Sequence, residues 1–233
     1  MDIISHSSFH SLPNLIKMTT FWEVLRAQYT NLPISLTEET CHGRTYIVTG
    51  ANTGLGYECA KHLVRMRAGR VIMAVRNTKA GEDAARVIEA SSEVRSTSSG
   101  SNDKKTDLQV WHLDLAKYDS VKAFVARVEK DLDRVDAVIE NAAVAVEKWT
   151  EGEEGWDLIM TVNLLSTMLL TMLLVPYLRT VGTRFGVVPR IAIIGSGAAF
   201  LDEPRACLDK IDKENILRDI AVQDKWKASL IDL

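Results

Sequence analysis

The sequence TGANTGLG, residues 49–56, decides the fold of this chain. It follows an apolar run over residues 45–48 and precedes a stretch over residues 57–68 that reads as a helix. A strand, a glycine-rich turn and a helix in this order predict a dinucleotide-binding site. Glycines permit the tight turn and the close approach of a pyrophosphate, and the first N–H groups of the helix attract phosphates. The alternative, a strand–helix turn without a ligand, is disfavoured by the segments that follow.

Composition limits the possible classes of protein. The 233 residues are 46% hydrophobic, which is enough for one domain with a substantial core. A formal charge of −3 and a pI near 6.0 give no electrostatic basis for nucleic-acid binding. The three cysteines, Cys41, Cys59 and Cys207, match neither a metal site nor a disulfide framework. A reducing, cytoplasmic location is therefore expected.

One uncharged segment, residues 158–178, is long enough to span a bilayer. It also holds polar or helix-breaking residues that suit a protein interior better than lipid, namely Thr161, Asn163, Ser166, Thr167, Thr171 and Pro176. We therefore predict a helix buried in the protein and no membrane span. Membrane association through this segment is the weaker alternative, and membrane fractionation would test it.

The remaining pattern alternates between helices and strands, with an extension over residues 1–42 and one domain over residues 43–233. Within the extension a short amphipathic helix is predicted over residues 21–29. Strands are predicted over residues 45–49, 70–75, 108–113, 137–139 and 190–194, helices over 57–68, 79–90, 120–132 and 156–178, and a mobile polar loop over 91–107. Gly69 is expected to end the first of these helices. The alternation predicts an α/β fold with a parallel sheet.

The end of the second strand indicates the type of nucleotide. A free ribose 2′-OH favours a carboxylate at this position, whereas a 2′-phosphate favours a cation. Arg76 and Asn77 follow this strand, and it ends without Asp or Glu. We therefore predict NADP(H), with NAD as the less favoured cofactor. The alternative is that Arg76 is only a solvated charge at the strand end.

The spacing T-G-x-x-x-G-x-G, together with four later features, resembles the short-chain dehydrogenase/reductase family, especially its fungal members, over about residues 43–196. The later features are Asp114 after the third strand, Asn141-Ala142 after the fourth, Asn163 in the long helix and Ser196 after the last strand. The resemblance implies a Rossmann-like, doubly wound parallel sheet, here incomplete at its C-terminal edge. It also implies that Asp114 contacts the adenine, although Asp114 could instead cap the helix beginning near Tyr118.

The resemblance implies catalytic roles for two residues. Ser196 would polarise the substrate carbonyl, and Asn163 would hold a water of the proton relay. The structural alternatives are a serine in an ordinary turn and an asparagine that satisfies a neighbouring carbonyl. Glu140 and Ala143 depart from the family's Asn-Asn-Ala-Gly motif, and Ala143 would crowd the backbone if a positive φ were required there.

The candidate cofactor-binding residues share the ends of the first four strands or the glycine loop, and no metal site is predicted. They are Gly50, Asn52, Thr53, Gly54, Leu55, Gly56, Arg76, Asn77, Asp114, Leu115, Asn141 and Ala142.

The family's general acid is a Tyr in a Tyr-x-x-x-Lys pair after the serine, and the sequence has no tyrosine after Tyr177. We interpret the literal matches at Tyr57/Lys61 and Tyr118/Lys122 as coincidence. Residues 209–233 have the charged, helical character of the segment before the family's Tyr/Lys helix. The sequence thus resembles a member cut short, with strand 190–194 as an exposed apolar edge and marginal stability.

Two hypotheses follow from this resemblance. The first is an NADP(H)-dependent oxidoreductase that interconverts a carbonyl and an alcohol on a small molecule, with a role in fungal secondary metabolism. The second is a catalytically inactive NADP-binding fragment or pseudoenzyme. A homo-oligomer is compatible with the resemblance, although the family's dimer helices look incomplete. The substrate is not identified by the sequence.

Overall fold

The computed structural model describes residues 29–30, 36–96, 105–146 and 148–196. Two compact units are distinguished, one formed by Ser35–Ile194 and the other by Met1–Ile34 with Gly195–Leu233. The second unit is described only at residues 29–30 and 195–196. Three predicted segments lie outside the described residues: 21–28 of the predicted helix over 21–29, 97–104 of the predicted loop over 91–107, and the helical segment 209–233. The division at residue 42 stays a prediction.

The unit Ser35–Ile194 alternates strands with helices, as the sequence predicts. The strands are β1 (Thr45–Thr49), β2 (Arg70–Val75), β3 (Asp107–His112), β4 (Ala137–Glu140) and β5 (Arg190–Ile193). The helices are α1 (Glu38–Cys41), α2 (Gly54–Arg65), α3 (Thr78–Ser96), α4 (Tyr118–Asp131) and α5 (Thr167–Phe185), and a π-helical segment, Met160–Ser166, runs directly into α5. Side chains in α3 are described as far as Ser91.

The strands described form one parallel sheet in the order β3-β2-β1-β4-β5. Chain order reverses at β1, because β2 and β3 lie on one side of it and β4 and β5 on the other. Ligands of such open sheets bind at the carboxyl ends of the strands, next to this reversal. The Rossmann-like α/β fold class is therefore confirmed, and it places the glycine loop after β1 at the expected position.

Two hydrophobic clusters cover the two faces of the sheet. Alternate β1 residues divide between them, with Ile47 in one cluster and Tyr46 and Val48 in the other. Helices α4 and α5 cover the first face, and α2 and α3 cover the second. Strands buried on both faces have the continuous apolar composition seen in β2.

The predicted end of the first helix is wrong by a few residues. Helix α2 ends at Arg65, and Arg67, rather than Gly69, takes the left-handed conformation with a φ of 54°. Gly69 serves close packing instead, since a Cβ there would lie 2.8 Å from the carbonyl carbon of Gly43.

The predicted loop over 91–107 also begins too early in the sequence. Helix α3 continues to Ser96, six residues beyond the predicted end at residue 90. Propagation of an established helix fixes one residue for each new hydrogen bond, so a polar sequence extends it at little cost.

The long apolar helix, predicted to be buried in the protein, has one face packed into the core and one exposed face. Within the described residues, Met160–Phe185 is long and apolar enough to cross a membrane by length and composition alone, and 39% of its most apolar window is buried. Leu170, Leu174, Leu178 and Val181 pack into the core. A core helix of a folded domain passes the same test of length and composition.

Strand β5 lies at the edge of the sheet as far as the structure describes it. It pairs with β4, and Ile193 and the following Ile194 are 46% and 51% exposed. An exposed apolar edge favours association with other strands. The predicted marginal stability itself stays a prediction.

Candidate functional site

A cleft of about 410 Å³ opens at the carboxyl ends of β1, β2, β3 and β4. Nine of the predicted cofactor-binding residues line it: Gly50, Asn52, Thr53, Arg76, Asn77, Asp114, Leu115, Asn141 and Ala142. Gly54, Leu55 and Gly56 do not line it, although they form the first turn of α2 beside it. The structure therefore brings together residues from four separate strand ends that the sequence places up to 92 positions apart.

At two positions of the loop only glycine fits, because neighbouring backbone and side-chain atoms lie where a Cβ would be. Gly50 has a φ of +65°, and a Cβ there would lie 2.9 Å from the Cα of Ala142. At Gly56 a Cβ would lie 2.5 Å from both the Gly50 carbonyl oxygen and the side-chain Nδ2 of Asn141. The glycine spacing thus lets the loop fold tightly against the end of β4.

The N-terminus of α2 faces this loop without a side-chain cap. Thr53 is the N-cap residue, it is exposed, and its side chain makes no capping hydrogen bond. The first N–H groups of a helix lack partners within the helix and carry a partial positive charge. This end of α2 is therefore suited to bind an anion such as a diphosphate.

Thr49 joins the end of β1 to the end of β4. Its buried hydroxyl accepts hydrogen bonds from the N–H groups of Asn141 at 3.0 Å and Ala142 at 2.9 Å. The Asn141 side chain donates to the Thr49 carbonyl at 3.0 Å. These bonds hold the two strand ends that form the floor of the cleft.

Ala143, which stands where the family motif has glycine, does not need a positive φ and so does not crowd the backbone. Arg67 is the one non-glycine residue with positive φ in the described part of the chain. Ala143 is exposed and lines the cleft in an ordinary conformation.

Arg76 supplies a cation at the mouth of the cleft. It directly follows β2 and is exposed, and within the described ranges it forms no ion pair. Asn77 beside it has a structural task, because its side-chain oxygen accepts the N–H of Ala80 at 3.1 Å at the start of α3. Arg76 therefore supplies the positive charge that an anion in the cleft would contact.

Asp114 lines the cleft and turns the chain after β3. Its carboxylate accepts the N–H of Ala116 at 3.0 Å, and its own N–H donates to the Ser120 hydroxyl at 2.9 Å. The alternative of a cap for the following helix is wrong, since the N-cap residue of α4 is Lys117 and the Tyr118 N–H donates to Glu154 at 2.7 Å. The adenine contact of Asp114 stays a prediction.

The Asn163 side chain lies in the π-helical segment and bonds to the wall of the cleft. Its Oδ1 accepts the Val144 N–H and its Nδ2 donates to the Val144 carbonyl, both at 2.8 Å. Val144 and Val162 line the cleft, whereas Asn163 does not. Asn163 thus satisfies a neighbouring backbone, as the structural alternative holds, and its catalytic role stays a prediction.

Neither literal Tyr-x-x-x-Lys match lines the cleft, and the catalytic role of Ser196 stays a prediction. Ser196 is exposed, and it falls outside the unit Ser35–Ile194 that contains the cleft. Lys61 pairs with Glu58 and Lys122 pairs with Asp119. Burial, followed by the charge of Glu154, raises the pKa of Tyr118, whereas a general acid of this kind needs a lowered pKa.

Sequence reasoning missed several residues of the site. Apolar lining comes from Ala74, Leu113, Ala116, Ala143, Val144 and Val162. Position after a buried strand is the signal that could have identified most of them. The bonds of Thr49 to Asn141 and Ala142 carry no such signal, because they depend on the pairing of two strands that are distant in sequence.

Comparisons with known proteins agree with this geometry. The profile of the family described as short chain dehydrogenase matches residues 44–207. The short chain dehydrogenase/reductase dmxR8 of Cryptosporiopsis sp. is 38% identical over 154 residues, which cover 66% of this chain and 44% of that protein. The short chain dehydrogenase FGM9 of Gibberella zeae is 34% identical over 205 residues, which cover 84% of this chain and 56% of that protein. The chain thus spans about half the length of the curated relatives it matches.

A solved structure shares the fold. The L-sorbose reductase of Gluconobacter frateurii, crystallised with NADPH and L-sorbose, superposes with a TM-score of 0.50 at 18% identity and covers 64% of this chain and 51% of that chain. At this identity the likeness concerns the architecture alone.

Proposed function

Because this chain belongs to the short chain dehydrogenase family, we propose that its cleft binds NADP(H) and serves an oxidoreductase reaction between a carbonyl and an alcohol on a small molecule. One observation carries the choice of nucleotide: Arg76 lines the cleft directly after β2, with its charge free of any ion pair in the described part of the chain. An arginine there favours a 2′-phosphate over a free 2′-hydroxyl.

The residues present fit such a nucleotide. The loop at Gly50 and the uncapped start of α2 would hold the diphosphate, Arg76 the 2′-phosphate and Asp114 the adenine. Asn141 and Ala142 would line the nicotinamide side of the cleft. The bound nicotinamide would supply or accept the hydride. The residues of this chain bind and orient the nucleotide, and the catalytic roles that the family resemblance implies for Ser196 and Asn163 belong to the same proposal.

Names of the fungal relatives support an oxidoreductase, and a role in secondary metabolism is part of the same proposal. A cytoplasmic location and a small-molecule substrate belong to it as well.

The test compares Arg76→Ala with Arg65→Ala, which changes another exposed arginine, at the far end of α2. Removal of one charged contact to phosphate costs about 1.5–3 kcal/mol, so the dissociation constant for NADPH is expected to rise at least about tenfold in the Arg76 variant. The constant for NADH is expected to stay unchanged, as is that of either nucleotide in the Arg65 variant. Equal loss of NADPH and NADH affinity in the Arg76 variant would contradict the proposal.

A second candidate function, nucleotide binding without catalysis, is favoured by one observation. Within the described residues no tyrosine lines the cleft. The two functions are separated by NADPH oxidation with a panel of aldehydes and ketones. Turnover supports the enzyme, and tight binding without turnover supports the inactive protein.

A further inference from the structure

A buried carboxyl group lies at the end of β4, directly before the cleft residues 141–144. Glu140 is the last residue of β4 and is 3% exposed. Its Oε1 accepts a hydrogen bond from the Thr171 hydroxyl at 2.9 Å. Its Oε2 is buried and has no hydrogen-bond partner among the described residues. A carboxylate held in this way lacks most of the solvation that its charge requires.

The surroundings of Glu140 provide no compensating charge. Helix α5 presents Thr171, with Leu170 and Leu174 buried beside it, and β5 pairs Ile193 with Glu140. The titratable residue of β1, Tyr46, belongs to the cluster on the other face of the sheet.

The charged residues of the packed elements are also distant or exposed. Arg190 pairs with Ala137 at the opposite end of β4, and Arg179 and Arg184 are exposed in the second half of α5. The buried face of α4 is apolar. Burial accordingly raises the pKa of Glu140 to about 7, against a smaller lowering by the Thr171 hydrogen bond.

The wall that follows Glu140, residues 141–144, is attached to the same long helix at both ends. Glu140 bonds to Thr171 of α5, and Val144 bonds to Asn163 of the π-helical segment that continues into α5. Thr49 holds the first two residues of the wall through the N–H groups of Asn141 and Ala142. All four wall residues line the cleft.

We propose that Glu140 is a positioning residue that holds the cleft wall 141–144 in its binding geometry as the neutral acid, so that nucleotide affinity falls when this carboxyl group loses its proton. This inference rests on the proposed nucleotide site. An unpaired buried carboxylate draws water or moves outward, and the neighbouring β5, with Ile193 and Ile194 exposed, is the edge strand among those that the structure describes. Movement of Glu140 displaces the wall that begins at the next residue.

The test uses the full chain and the variants Glu140→Gln and Thr171→Val. The dissociation constant for NADPH is measured for each protein at about pH 6 and pH 8.5. At each pH the constant of the wild type is divided by that of Glu140→Gln. This ratio cancels the effect of titrating the 2′-phosphate of the nucleotide itself. We expect this ratio to rise about threefold to tenfold across the range. Because the Thr171 bond lowers the pKa of Glu140, Thr171→Val is expected to move the midpoint of the change to higher pH. A residue that serves only packing would not move this midpoint.

A second measurement needs no nucleotide. Amide hydrogen exchange at residues 141–144, corrected for the intrinsic effect of pH, is expected to accelerate above neutral pH in the wild type and to stay constant in Glu140→Gln. Identical exchange profiles in the two proteins would overturn the inference, as would a constant affinity ratio. Failure to bind nucleotide at every pH would contradict the proposed function, and hydrogen exchange would still decide whether Glu140 holds the wall.

Discussion

The side-chain amide of Asn163 bonds to both backbone groups of Val144, with two distances of 2.8 Å. This pair joins the π-helical segment to the wall of the cleft, so Asn163 positions the wall whatever its role in catalysis. π-helical segments inside longer helices are often found at functional sites.

Replacement of Asn163 by Ala is expected to leave the N–H and carbonyl of Val144 without partners. Such a loss costs about 1–3 kcal/mol for each unsatisfied buried group, so the free energy of unfolding should fall by about 2 kcal/mol. Chemical denaturation measures it. The control is Leu164→Ala, an exposed change in the same segment, which should stay within about 0.5 kcal/mol. Equal effects of the two variants would show that the Asn163 bonds contribute nothing.

Gly56 has no room for a side chain. A Cβ would lie 2.5 Å from the Gly50 carbonyl oxygen, a backbone atom that cannot move freely. Gly56→Ala is therefore expected to lower the free energy of unfolding by about 1–3 kcal/mol and to weaken nucleotide binding.

Gly54→Ala serves as the comparison for Gly56. A Cβ at Gly54 would meet no atom within 4 Å, so only the positive φ of this residue should lower the free energy of unfolding, by about 1–2 kcal/mol. Both are measured by thermal unfolding and nucleotide titration. Stronger nucleotide binding by Gly56→Ala than by Gly54→Ala would contradict the packing of the loop.

The Thr49 hydroxyl accepts two backbone N–H groups at the floor of the cleft. Thr49→Val keeps the shape and removes this acceptor, so the free energy of unfolding is expected to fall by about 2 kcal/mol. Thr45→Val, at the other end of the same strand, is the matched control and should have a smaller effect. If denaturant midpoints of the two variants agree, the Thr49 hydroxyl does not hold the strand ends together.

Stability should depend on pH through Glu140. Burial raises its pKa in the folded chain from the ordinary value of 4.5 to about 7, so the folded state binds this proton more tightly than the unfolded state does. The resulting stability is fully present below the lower value and is lost as pH rises to the higher one. The free energy of unfolding should fall by about 1–3 kcal/mol over this interval.

Glu140→Gln should remove this part of the pH dependence, whereas Glu82→Gln, an exposed change on α3, should retain it. Urea unfolding between about pH 5 and pH 8.5 provides the measurement. A wild-type profile that rises over this interval relative to Glu140→Gln would have the wrong sign for a buried acid.

Much of the fold follows from local sequence patterns. The apolar runs at β1 and β2 and the glycine loop between them specify a parallel sheet, and the structure gives both strands the predicted bounds. The end of α2 could not be predicted, because the tertiary contact between Gly69 and Gly43 uses the glycine that otherwise reads as a helix stop. The π-helical segment has no pattern of its own, since its residues read as part of one long helix.

The site is predictable where chemistry and strand position coincide. Arg76 directly follows β2, and Asp114 comes two residues after the end of β3. Parallel strands bring their carboxyl ends together. The sequence marks Glu140 only as a departure from a family motif, because its burial depends on α5, which is more than thirty residues away in sequence.

The most direct test of the account is a titration of the folded chain with NADPH and with NADH, followed by nicotinamide fluorescence. The account predicts saturable binding of both through the loop at Gly50 and the start of α2, with NADPH bound at least about tenfold more tightly because of Arg76. Folded protein that binds neither nucleotide at millimolar concentration, or that prefers NADH, would contradict it.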